Sequence, residues 1–248
     1  MRSQGPSLWC FATSALLGLC SGEAWGQTTG YFGPEQALEI QPEVKVYYHV
    51  SDDFRLLAQV QSTLIPADSY SEISIGAFAD WLIARDLRKL LSPDLAKTHT
   101  LELQGGALYT TTIDPGTLKS SENVILQGQV TPRYFLPWDV LIVLRNRAEA
   151  QWALENGDKF SFIYSGRLQL EREFAIGTSP LTPFVNAQLT WTSPPAMWTQ
   201  FRMEAGLQCG FHWFGRGQII EANFSVETKL QPSHSWTPVV GLIWYIYF

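Results

Sequence analysis

The sequence predicts an all-β fold: a transmembrane, antiparallel up-and-down β-barrel of about 12 strands, with ten as the alternative count. Three observations predict it. Apolar and polar side chains alternate with period two along nearly all of the chain after residue 37. Beyond the N-terminal region there is no apolar stretch of about 18 residues, so a chain that enters a membrane must do so as a closed sheet, with no backbone group left unpaired in lipid. The chain ends in Trp244-Tyr245-Ile246-Tyr247-Phe248, an amphipathic stretch that closes on an aromatic residue.

The N-terminus reads as a signal peptide over residues 1–26. Arg2 supplies a positive charge, Leu8 to Leu19 an apolar run too short to span, and Ala24-Trp25-Gly26 small residues at the −3 and −1 positions. Leu19 before Cys20 argues against a lipoprotein. Residues 27–248 then form a single barrel domain. Cys10 and Cys20 leave with the signal, so Cys209 has no disulfide partner.

Eleven segments carry the alternation: 38–50, 54–64, 71–83, 98–110, 122–134, 139–155, 159–174, 181–192, 200–213, 218–230 and 236–248. In 218–230, Ile220, Ala222, Phe224 and Val226 share one face, and Glu221, Asn223, Ser225, Glu227 and Lys229 share the other. An even number of strands is the rule for bacterial barrels, so one strand is missed or split, with 28–37 and 84–97 as the places to look. Leu87, Leu90 and Leu91 sit at helical spacing within 84–97 and predict a short helix or long turn. Turn chemistry separates the segments, as at Ser51-Asp52-Asp53, Asp114-Pro115-Gly116 and Gly215-Arg216-Gly217.

Alternation alone also fits a soluble secreted β-barrel that binds a ligand. Export, segments of about 11–16 residues where soluble strands run to about 5–6, and Trp138, Trp152, Trp191, Trp198, Trp213 and Trp236 near segment ends favour the membrane. Mean hydropathy of −0.03 excludes a helical membrane protein. A net charge of −6 gives no reason to expect nucleic acid.

The closing strand, with Trp244, Ile246 and Phe248 on one face, resembles the C-terminal sorting signal of bacterial outer-membrane proteins. That resemblance implies the outer membrane of a Gram-negative bacterium, outer-membrane lipid around the chain, and periplasmic chaperones and the barrel-assembly machinery as partners in biogenesis. Leu144-Arg145-Asn146-Arg147, Arg167 to Arg172, Leu181 to Val185, Trp198-x-x-Phe201-Arg202 through Gly206, and Val240-Gly241-Leu242 resemble the uncharacterised outer-membrane barrel family catalogued as domain of unknown function 2490. Pro42-Glu43-Val44 before Tyr47-Tyr48 resembles the first strand of acidobacterial-type relatives. Gln188 to Ser193 departs from the family's more acidic run there. The family implies a barrel and a location, and brings no activity.

If the apolar face meets lipid, the charged face lines the lumen. It carries Glu43, Lys45, Arg55, Arg133, Arg145, Arg147, Glu149, Arg167, Glu171, Arg202, Glu204, Glu221 and Glu227. Arginine–carboxylate pairs suit a packed, partly dry filling. Two roles compete for it: a salt-bridged structural ladder, or a small passive pore for ions and small polar solutes. A lipid-modifying or hydrolytic enzyme is the third reading. His49 and His212 share the polar face, but no nucleophile signature flanks either, so the expectation is no enzyme. Cys209 and His212 fall on opposite faces and cannot share a metal. No cofactor or metal site is expected.

Overall fold

The computed structural model describes residues 38–66, 70–85, 87, 92–114, 119–154, 160–177, 179–194, 196–230 and 236–248. The expected signal peptide (1–26), the stretch 28–37, and Leu90 and Leu91 of the expected helix lie outside them.

Twelve strands follow one another: β1 (Glu39–Ser51), β2 (Phe54–Ile65), β3 (Tyr70–Ile83), β4 (Leu101–Asp114), β5 (Lys119–Phe135), β6 (Val140–Ala153), β7 (Phe160–Arg172), β8 (Phe174–Ile176), β9 (Ser179–Ser193), β10 (Met197–Trp213), β11 (Arg216–Lys229) and β12 (Trp236–Tyr247). Sequential strands pair antiparallel, and β12 returns to β1, which closes the barrel. Twelve strand segments are present, but the barrel closes with eleven, against the even number expected. Pairing of β7 with β9 (Glu171 opposite Phe184) continues without a shift into β8 (Phe174 opposite Leu181), so β8 prolongs β7 past Glu173. Eleven staves close the barrel, one for each segment with alternation.

An odd number of staves has a geometric consequence. The first and last run in the same direction, so the seam between β1 and β12 is parallel, from Glu39 beside Val239 to Tyr47 beside Tyr247. Closure is thus not antiparallel throughout. Parallel bonds are slanted and slightly weaker. The seam is reinforced at its end by two further backbone bonds, His49 N–H to the Phe248 carbonyl and Phe248 N–H to the Tyr47 carbonyl. The Tyr47 and Tyr247 rings also stack there, 5.0 Å apart.

The faces follow the expected parity. Val60, Ile75, Leu126, Leu144, Leu168, Val185, Met203 and Phe224 are exposed around the outer belt. Tyr48, Trp81, Tyr134, Trp138 and Phe214 ring one rim, and Phe160, Trp198 and Trp236 the other. Phe214 and Gly215 form a two-residue hairpin turn with positive φ at both residues, one position earlier than the expected glycine turn.

The interior is less uniformly polar than parity implies. Tyr47, Leu57, Phe78, Leu108, Ile219 and Tyr247 point inward and pack as one buried cluster. Phe78 fits only because Gly106 is bare: a Cβ there would lie 2.4 Å from the ring and 2.3 Å from the Ala77 carbonyl oxygen.

Candidate functional site

The turns joining the staves are short at the rim that carries Phe248, with one exception. Between β3 and β4, residues 92–100 fold back into the barrel mouth. A 3-10 turn spans Leu95–Thr98, and Asp94 caps it by accepting the Ala96 N–H at 3.0 Å. Ala96, Lys97, Thr98 and His99 are all buried. Because 98–100 belong to this plug, β4 starts at Leu101 rather than at 98.

The plug is tied to opposite walls. Asp94 accepts from Arg55 of β2 at 2.8 Å. Lys97 pairs with Glu171 of β7 at 2.8 Å and donates to Gln208 of β10 at 2.8 Å. The Ser92 N–H donates to Glu173 at 3.1 Å. Pro93 seats against two glycines: a Cβ on Gly217 would come within 2.4 Å of it, and one on Gly210 within 3.2 Å. His99 is 1% exposed and faces Asp53 of the β1–β2 turn at 3.6 Å.

Arg55 is the hub of the closed end. It is 2% exposed and bonds Asp80 at 2.6 Å, Asp94 at 2.8 Å and Glu102 at 3.2 Å, with its guanidinium over the Tyr47 ring at 4.1 Å. Glu102 also takes a short bond from Arg133. Two guanidiniums thus hold three carboxylates. Burial alone raises the Asp94 carboxyl. The positive charges of Arg55, Arg133 and Lys97 outweigh that effect and hold it below the usual carboxylate range.

The other expected lumen residues divide into groups. Lys45 pairs with Glu43 at 3.2 Å and Arg147 with Glu149 at 3.0 Å. Glu204 receives Arg167 at 2.8 Å, Arg202 at 3.1 Å and Asn186 at 2.8 Å. Glu221 accepts from Gln208, Tyr245 and Asn223. Glu227 lies beside Arg202 in register. Arg145 has no polar partner among the described residues. A cavity of about 290 Å³ runs along these groups, from Asp94 and Lys97 at the plug to Gln41, Gln61 and Arg147 further down the barrel.

Asp94, Lys97, Pro93 and His99 were not legible as site residues. The available signal was negative: 84–97 breaks the alternation yet carries charge and proline. His49 stacks on Tyr247 and its ring nitrogens have no hydrogen-bond partner among the described residues, while His212 is exposed. Among the described residues no cluster of three or more His, Cys, Asp or Glu is placed to hold a metal ion.

No protein-family model matches this chain, and no curated protein matches it. Among solved structures it is similar to the β-domain of the Bordetella autotransporter BrkA, with 12% identity and a TM-score of 0.45 over 79% of this chain and 82% of that one.

Proposed function

We propose that this chain is an integral outer-membrane barrel whose lumen is a small pore for ions and small polar solutes, held closed at one rim by residues 92–100. One observation carries the reading: the two faces are inverted relative to a soluble β-protein, with an exposed apolar belt outside and buried ion pairs inside. The aromatic residues at both rims suit the two lipid–water interfaces. The rim with short turns and Phe248 is the periplasmic one in this reading. The Trp244, Ile246 and Phe248 face is outward, where the assembly machinery reaches it. Export by residues 1–26 and the likeness to the uncharacterised barrel family belong to the same proposal.

Two measurements test it. Phe224 is mid-strand and outward, so Phe224→Arg costs insertion about 2–4 kcal/mol near the midplane, whereas the lumen-facing Gln59→Arg is mild. Heat-modifiable migration and membrane fractionation read both, and a wild-type protein recovered soluble from the periplasm ends the membrane reading. Planar-bilayer recording then tests passage. Rare openings are expected from the wild type and frequent ones from Gly217→Val, whose side chain displaces Pro93. Silence from both across a wide voltage range leaves a structural barrel, the second reading, which the buried plug contacts favour.

A further inference from the structure

One wall of the lumen carries more positive charge than its acids match. Arg145 on β6 lies directly opposite Arg167 on β7, Arg167 opposite Gln188 on β9, and Gln188 opposite Arg202 on β10. All four side chains line the lumen cavity. Directly opposed residues have Cβ atoms about 4.5–5.5 Å apart, and like charges so placed repel. The acid supply is short for three arginines: Glu204 serves both Arg167 and Arg202 and already accepts from Asn186, and Glu227 stands beside Arg202 alone. Arg145 has no polar partner among the described residues. The Nε–H groups of Arg145, Arg167 and Arg202 are all buried and unpaired. Glu227 on β11 lies opposite Arg202 at one end of the row, but no carboxylate stands opposite Arg145 or Arg167 in register, and a buried charged donor left unpaired is costly.

The geometry points to an oxyanion-binding site on this wall, in which a small soluble phosphate or carboxylate group accepts from Arg145, Arg167 and Arg202. Guanidinium forks match these groups in shape as well as charge. Gln188, between Arg167 and Arg202, adds an amide donor that needs no counter-charge. A cavity of about 290 Å³ admits phosphate or a small phosphorylated or carboxylated metabolite. The site names a solute class for the lumen proposed above and rests on that reading for its purpose, although binding itself requires only the folded barrel.

The probe is inorganic phosphate, titrated into the full-length barrel refolded in detergent, with chloride at matched ionic strength as the reference. Thermal unfolding is followed by circular dichroism and binding by calorimetry. The expected result is a saturable rise in midpoint with phosphate, retained in Arg216→Gln at the far rim and weakened roughly tenfold or more in Arg145→Gln and Arg167→Gln, the loss of one charge-assisted contact each. If Arg167→Gln fails to fold because Glu204 loses a partner, Arg145→Gln decides alone, since Arg145 has none to lose. No phosphate effect beyond chloride, or an equal effect in Arg145→Gln, overturns the site. An equal shift with phosphatidylglycerol in place of phosphate also overturns it, because the lipid headgroup reaches only the outer face. Phosphate binding by a barrel that never conducts keeps the site and removes the pore. Conductance without phosphate binding does the reverse.

Discussion

Arg55 and Arg145 are the same residue type on the same face of the same sheet, and their surroundings are opposite. Arg55 at the plugged end meets three carboxylates and a tyrosine ring. Arg145, on the far wall, meets another arginine. The closed end has an excess of acid, and the wall an excess of base. Inward parity therefore says where a charge points and nothing about what it does. A charge that its neighbours satisfy holds structure, and one left unsatisfied by its neighbours is available to a solute.

The largest expected effect tests the structural half of that contrast. Arg55→Met leaves Asp80, Asp94 and Glu102 without the guanidinium that bonds all three, with Arg133 bonded to Glu102 alone. Removing one partner of a buried pair costs about 3–5 kcal/mol. Urea unfolding of the detergent-refolded barrel should show a loss of that size, with residues 92–100 exposed to protease. A change below about 1 kcal/mol would mean that the hub is as dispensable as a surface ion pair.

Lys97→Met comes next. It removes the contacts to Glu171 and Gln208, worth about 1.5–3 kcal/mol for a charged hydrogen bond, but leaves the barrel wall intact. The expected outcome is local: faster amide exchange over 92–100 and more frequent channel openings, with little change in global unfolding. If the staves destabilise as much as the plug loosens, the plug is part of the barrel's core and not a separable gate.

Acid supplies a smaller, graded effect through Asp94. Its carboxyl lies below the usual range when docked, so docking gains stability above the undocked value, about 3.9, and loses it as pH falls through the depressed one. Plug protection should be flat near neutrality and fall in strong acid, and Asp94→Asn should remove that acid dependence. Acid dependence that persists unchanged in Asp94→Asn would overturn this assignment.

How much of this was legible in the sequence depends on range. Alternation is a local property of each strand, so all eleven staves and their lipid faces were readable from neighbours two apart. Closure was not: the parallel β1–β12 seam depends on the count being odd, a property of the whole chain. The site was half legible. Arg145, Arg147, Arg167 and Arg202 were readable as lumen residues, but the absence of acid opposite Arg145 depends on the β6–β7 register. The plug was least legible, because Lys97 reaches Gln208 across 111 positions and nothing periodic marks such a contact. Ser225 shows the same limit in reverse. Parity places it in the lumen, yet it is 1% exposed, so the lumen face there has no free space.

The smallest expected effect bears most directly on the contrast. At the plugged end, losing an arginine is damaging. On the far wall, Arg145→Gln removes a charge that repels Arg167 and has no acid to abandon. Its effect on unfolding should fall within about 0.5 kcal/mol of zero, on the stabilising side, as like charges directly opposite each other destabilise by roughly 0.2–1 kcal/mol. The same substitution should raise conductance for cations relative to anions in any open state, because one fixed positive charge leaves the wall. Stability and selectivity then move independently at Arg145. At Arg55 they cannot, since the residue that holds the plug also holds the end of the barrel. A loss of several kcal/mol from Arg145→Gln would show that the wall is packed by contacts of the same kind as the hub, and would collapse the distinction between the two arginines.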